Sequence, residues 1–112
     1  ALWAENNLDY LAATRSPEVV RGMLADYRAR LAFDFDDDRR DKDAGRRLQC
    51  PLGVLWSRYD DMEKLYGDPA TPWADWSDRI VLRQGIPSGH HMAEEAPSGV
   101  ADLIRLFFAR LC

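Results

Sequence analysis

Cysteine is scarce in this sequence. Cys50 and Cys112 are the two that occur, too few and too far apart for a disulfide framework or a zinc motif. Cys50 is expected to be a small core residue and Cys112 a free thiol. Long apolar runs are missing as well: nothing approaches the roughly 18 apolar residues of a membrane span. No stretch follows a basic segment with an apolar one in the manner of a signal peptide, so a cytoplasmic protein with no membrane partner is expected. Positive charge is not in excess either. Fifteen Lys and Arg against 19 Asp and Glu leave a net charge of -4, with an isoelectric point near 5.1. Phosphate binding needs a basic surface, so nucleic acid is not expected as a partner. There is no Gly-x-Ser-x-Gly elbow to present a nucleophile. His90, His91 and Glu94 lack the His-Glu-x-x-His spacing of a zinc helix. Asp34-x-Asp36-x-Asp38 begins like a calcium loop, but Arg39 stands where glycine is needed and Gly45 where the bidentate glutamate belongs. No metal or cofactor is expected.

What is present is an ordinary globular composition, 46% hydrophobic and 30% charged, long enough for one small core. The sequence begins without methionine and reads as though cut from something longer. Near the start, Leu8, Leu11 and Ala12 can share a helical face. Ser16-Pro17-Glu18 is a helix start, with a capping side chain, proline in the first turn and an acid favoured by the helix dipole. Val19, Val20, Met23, Leu24, Tyr27 and Leu31 continue it as an apolar stripe. From Asp34 to Arg47 both signs of charge alternate densely, which predicts a solvated helix with internal ion pairs, ending at Gly45. Cys50-Pro51-Leu52-Gly53-Val54-Leu55-Trp56 is a proline-started apolar run that suits a parallel strand covered on both faces. Trp73 and Trp76, three apart, share a helix face and are expected to pack. Ile80-Val81-Leu82 reads as a second buried strand. Val100, Leu103, Ile104, Phe107, Phe108 and Leu111 recur at spacings of three and four, one face of a closing helix that Pro97 opens and Ser98 is placed to cap.

Between the last strand and that helix lies Ser88-Gly89-His90-His91-Met92-Ala93-Glu94-Glu95-Ala96-Pro97. A histidine at the end of a strand, before a helix that closes a sheet, stands where open α/β folds put their chemistry. Its neutral imidazole can accept a proton near physiological pH. A structural or merely solvated histidine is the alternative.

The segment Gly89-His90, then Glu94-Glu95-Ala96-Pro97 and an amphipathic helix, resembles the C-terminal catalytic-histidine segment of the α/β-hydrolase superfamily. Its Ser-Gly-His-x-x-x-Glu-Glu-Ala-Pro form looks most like the haloacetate (fluoroacetate) dehalogenase branch. On that resemblance His90 is the matching general base, and His91 stands where the family usually carries Phe or Tyr. Asp26-Tyr27-Arg28-Ala29 resembles a cap-domain helix of the same branch, which would make the Tyr27 hydroxyl a holder of the departing halide; on spacing alone, Tyr27 is a core aromatic. Leu55-Trp56-Ser57-Arg58-Tyr59-Asp60 resembles the Leu-Trp-Gly-x-x-Asp strand end of many α/β hydrolases, whose final aspartate orients the histidine. Haloacetate dehalogenases usually take that acid from an earlier strand, so Asp60 is either the acid or a loop carboxylate.

The resemblance runs over most of the chain, firmly from about Ser16 to the end and weakly before it. It implies an α/β fold made of the C-terminal part of a helical cap, residues 1–47, and the C-terminal part of a hydrolase core, residues 48–112, with its last two strands and closing helix. In the family an aspartate displaces halide from a small haloacid and the histidine activates water against the resulting ester. The nucleophile has no counterpart here, so a dehalogenase fragment inactive alone is one expectation. A non-catalytic remnant that self-associates, as a homodimer or otherwise, or binds another protein is a second. A fragment of an epoxide hydrolase or esterase of the same fold is a third.

Overall fold

The computed structural model describes residues 2–111, with side chains from Asn7 onward. Cys112 lies outside the described residues. The chain divides into two units, Ala1–Asp43 and Ala44–Cys112.

The first unit is helical: α1 (Leu2–Thr14), α2 (Pro17–Leu31) and α3 (Phe33–Asp43). Ser16 caps α2, its Oγ accepting from the Val19 amide at 3.4 Å, and Pro17 opens the first turn. The cap is extended by Glu18, which accepts from Ser16 Oγ at 2.9 Å and pairs with Arg21 at 2.9 Å. The charged stretch after Phe33 is indeed helical and stops two residues before Gly45, whose φ of 67° is the left-handed geometry that glycine permits. Acids Asp34 and Asp36 occupy its first turn and Arg40 and Lys42 its last, matching the helix dipole, and Arg40 pairs with Asp37. The apolar stripe of α2 does not form a core, because no residue of the helix is buried. Tyr27 is 67% exposed, so it is not the core aromatic that its spacing suggested.

The second unit holds a two-stranded parallel sheet of β1 (Leu52–Ser57) and β2 (Ile80–Ile86). Between them come α4 (Met62–Tyr66) and a short 3-10 helix (Thr71–Asp75); after them, α5 (Met92–Glu95) and α6 (Pro97–Ala109). Mixed helix and parallel strand make this an α/β chain. The register slips once, Leu52 facing Ile80 and Gly53 facing Leu82. Val81 is thereby skipped, and its carbonyl accepts from Arg110 Nη1 at 2.7 Å. That bond ties the end of α6 to the sheet.

Among the described residues the buried hydrophobic core is Val54, Ala70, Leu82 and Ile86. α6 packs its Val100, Leu103 and Phe107 side towards the sheet, while Ile104, Phe108 and Leu111 remain exposed. Gly53 makes the approach possible: a Cβ there would lie 3.0 Å from Phe107 Cδ2 and 3.7 Å from Leu82 Cβ. Gly53→Val is therefore expected to cost about 1–3 kcal/mol by overpacking. A lowered urea midpoint with an unchanged slope would register it.

Two expectations are corrected. Cys50 is exposed, because it occupies a bend before β1 and the strand begins at Leu52. Ser98 does not cap α6: Pro97 takes the first helical position, which places Ala96 at the cap. No described helix is long and apolar enough to cross a membrane.

Candidate functional site

Parallel strands end at the same edge, and the loops leaving their carboxyl ends are where such sheets assemble sites. Here β1 leads into Arg58-Tyr59-Asp60 and β2 into Pro87-Ser88-Gly89-His90, with Ser57 and Ile86 as the last register pair. The two loops are fastened to each other. The Arg58 amide donates to the Ile86 carbonyl at 2.9 Å and the Tyr59 amide to the Ser88 carbonyl at 3.1 Å. Beneath them Ser88 Oγ donates to Ser57 Oγ at 3.3 Å, and both serines are buried. A glycine stands at the Ser57 position in the strand-end pattern, so serine adds a polar contact to the junction.

These fastenings bring together two residues that are 30 apart in sequence: His90 Nδ1 lies 2.8 Å from Asp60 Oδ2. An ionised carboxylate can only accept, so Nδ1 carries the hydrogen and donates it. The neutral ring then has its free lone pair on Nε2, which is the arrangement a general base requires. Asp60 is held in turn by the Asp61 amide, which donates to Oδ1 at 2.8 Å. The bond from His90 first, and that amide second, hold the Asp60 carboxyl below the usual aspartate value. The His90 side chain is 82% exposed and that of Asp60 34%.

His91 stands edge-on to His90, ring centroids 5.5 Å apart, and makes no carboxylate contact like that of its neighbour. Tyr27, the third residue singled out from sequence, belongs to the first unit, on α2. Trp73, in the 3-10 helix, and Trp76, its C-terminal cap, line a pocket of about 250 Å³ with Met62, Tyr66, Pro69 and Pro72; Trp73 is 43% exposed, so it is not packed away as its spacing suggested. Among the described residues no group of three or more His, Cys, Asp or Glu is placed to hold a metal ion.

Glu95 has a task at this site that no motif of the sequence names. Its carboxylate accepts from the Gly89 amide at 2.6 Å and from the His91 amide at 3.2 Å. The signal was available, because an acid four residues after a helix-capping position, here His91, can reach back to the cap's own amide much as a capping box does.

The depressed Asp60 carboxyl gives a test by pH. A folded value below the unfolded one stabilises the fold above the ordinary aspartate range, and that contribution is lost as pH falls through the lowered value. His90→Ala is expected to move the Asp60 titration up towards the ordinary value, read by carbon-13 NMR of the carboxyl. An unmoved titration would show that His90 does not hold it.

No protein family model matches this sequence. Over 103 residues it is 28% identical to a fluoroacetate dehalogenase from Burkholderia sp, an alignment covering 90% of this chain and 32% of that protein. The chain thus spans about a third of the length of this curated relative. The likeness supports a distant, α/β-hydrolase-like relationship.

Proposed function

We propose that this chain is the C-terminal part of a hydrolytic haloacetate dehalogenase, with residues 1–47 the end of its cap and residues 48–112 the end of its core. The likeness to the Burkholderia protein, with Tyr27 and the Glu94-Glu95-Ala96-Pro97 run, carries the dehalogenase assignment, and the Asp60–His90 contact at 2.8 Å supports His90 as its base. In this reading an aspartate from the rest of the parent protein displaces halide from the α-carbon of a small haloacid, leaving an ester. His90 Nε2 takes a proton from water as the water attacks the ester carbonyl, and the Asp60 carboxylate stabilises the imidazolium that forms. The acyl C–O bond then breaks, the hydroxyacid leaves with the proton returned from His90, and the nucleophile is left as a carboxylate. Tyr27 donates its phenol hydrogen to the departing halide, a charge-assisted bond. The exposed apolar side chains of α6 and the open edges of a two-stranded sheet favour association with further protein, a second copy included.

Asp60 also favours a second reading, an epoxide hydrolase or esterase of the same fold, because an acid following this strand is the arrangement that resembles those enzymes.

A chimera in which the aligned 103 residues replace their counterparts in the Burkholderia enzyme tests both. Halide release from fluoroacetate or chloroacetate is expected. A folded chimera that hydrolyses an epoxide or a 4-nitrophenyl ester and releases no halide would favour the second reading, and one with no activity would contradict both. Tyr27→Phe in the same chimera is expected to slow halide release about tenfold or more, the loss of one hydrogen bond to a developing anion. Unchanged release would remove Tyr27 from the site.

A further inference from the structure

We propose that Glu95 is a positioning residue for His90, acting as a two-amide clamp on the loop that carries it. The inference deepens the reading of the Asp60–His90 pair given above and rests on it for its functional meaning. His90 sits in an exposed loop, where its side chain alone has one polar contact to fix it, the bond to Asp60. The residues on either side of it are held instead. Glu95 Oε2 accepts from the Gly89 amide at 2.6 Å and Oε1 from the His91 amide at 3.2 Å, so one carboxylate spans the backbone of His90. The grip is reciprocal, because the Glu95 amide donates to the His91 carbonyl at 2.9 Å. On the other side, the Ser88 carbonyl accepts from Tyr59 in the Asp60 loop. His90 is thereby suspended between a backbone tie to its carboxylate partner's loop and the Glu95 clamp.

Gly89 shows how closely the carboxylate sits. A Cβ at that position would lie 2.9 Å from Glu95 Oε1 and 3.0 Å from Oε2. Those atoms end a flexible side chain, so an alanine would push the carboxylate away and leave the fold in place. Glu95→Gln weakens the same clamp from the other end, since an amide offers one accepting atom where the carboxylate offers two. Two substitutions on different residues should therefore produce one effect.

The test uses the 112-residue chain and reads the loop directly. In the unmodified chain the Gly89 and His91 amides are expected to exchange with solvent at least about tenfold more slowly than free amides. Glu95→Gln and Gly89→Ala are each expected to speed that exchange, to shift the His90 ring nitrogen-15 signals towards a mixture of tautomers, and to raise the Asp60 titration. Far-UV circular dichroism should not change. Gln is a conservative replacement, and Glu95→Asp, too short to span both amides, should restore at most one of the two protections. Fast exchange of both amides in the unmodified chain would overturn the clamp. So would variants that lower the urea midpoint while the His90 signals and Asp60 titration stay put, since that is the mark of a merely structural carboxylate. Protected amides with no His90–Asp60 contact in the unmodified chain would overturn the positioning role together with the base reading, whereas exposed amides with that contact intact would overturn the clamp alone.

Discussion

Halide release by the chimera is expected to fall by about 10²–10⁴ when His90 is replaced by alanine, the range over which a positioned proton acceptor contributes. The loss follows from the order of the two bond-breaking steps. His90 is needed for the second, hydrolysis of the ester, so the variant should still expel one halide per active site and then stop. A burst of one equivalent followed by a flat trace, with the ester recoverable by mass spectrometry, is the predicted signature. Asp60→Asn should lie between parent and His90→Ala. The asparagine amide can hydrogen bond to the ring but can present a donor where the carboxylate accepts, which favours the wrong tautomer. His91→Ala should change turnover little, because His91 lacks the carboxylate contact that His90 makes. Steady turnover by His90→Ala at the parent rate would remove the base from the mechanism.

Ile86→Ala is expected to bring the largest loss of stability, about 2–5 kcal/mol. The side chain is 3% exposed and is one of the four buried hydrophobics among the described residues. It also closes β2: its carbonyl accepts from the Arg58 amide at 2.9 Å and from the Ser88 amide at 2.8 Å. Small domains have total stabilities of only about 5–15 kcal/mol, so this one change should consume much of what the second unit has. Ile104→Ala provides the contrast. Ile104 is 47% exposed on α6, and its truncation should cost well under half as much. Urea melts followed by tryptophan fluorescence would rank the two. Equal losses would show that the exposed side of α6 is covered in solution, which would point to self-association.

The local elements were legible because local chemistry determines them. Ser16-Pro17 announces α2, and the β-branched run at Ile80-Val81 announces β2, although that strand continues through Gln84 and Gly85 to Ile86. Arg83 and Gln84 are exposed, so their polarity hid the second half of the strand. Cys50 differs from its expectation for the opposite reason, since an apolar neighbourhood in sequence says nothing of where the bend falls. The stripe on α2 shows that helical periodicity gives a face without saying what covers it. The site divides in the same way. The histidine loop stands out in the sequence, but the choice between acid and loop carboxylate for Asp60 does not. It depends on two strands ending in register, Ser57 beside Ile86, and on the bonds between their loops, which bring together residues 30 apart. The part played by Glu95 is similarly a matter of where its carboxylate points.

Long-range proton–nitrogen NMR of the His90 ring above neutral pH reads the Asp60–His90 bond itself. A hydrogen on Nδ1, a bare Nε2, and a shift towards mixed tautomers in Asp60→Asn are expected. A hydrogen resident on Nε2, or a ring indifferent to Asp60→Asn, would contradict that bond.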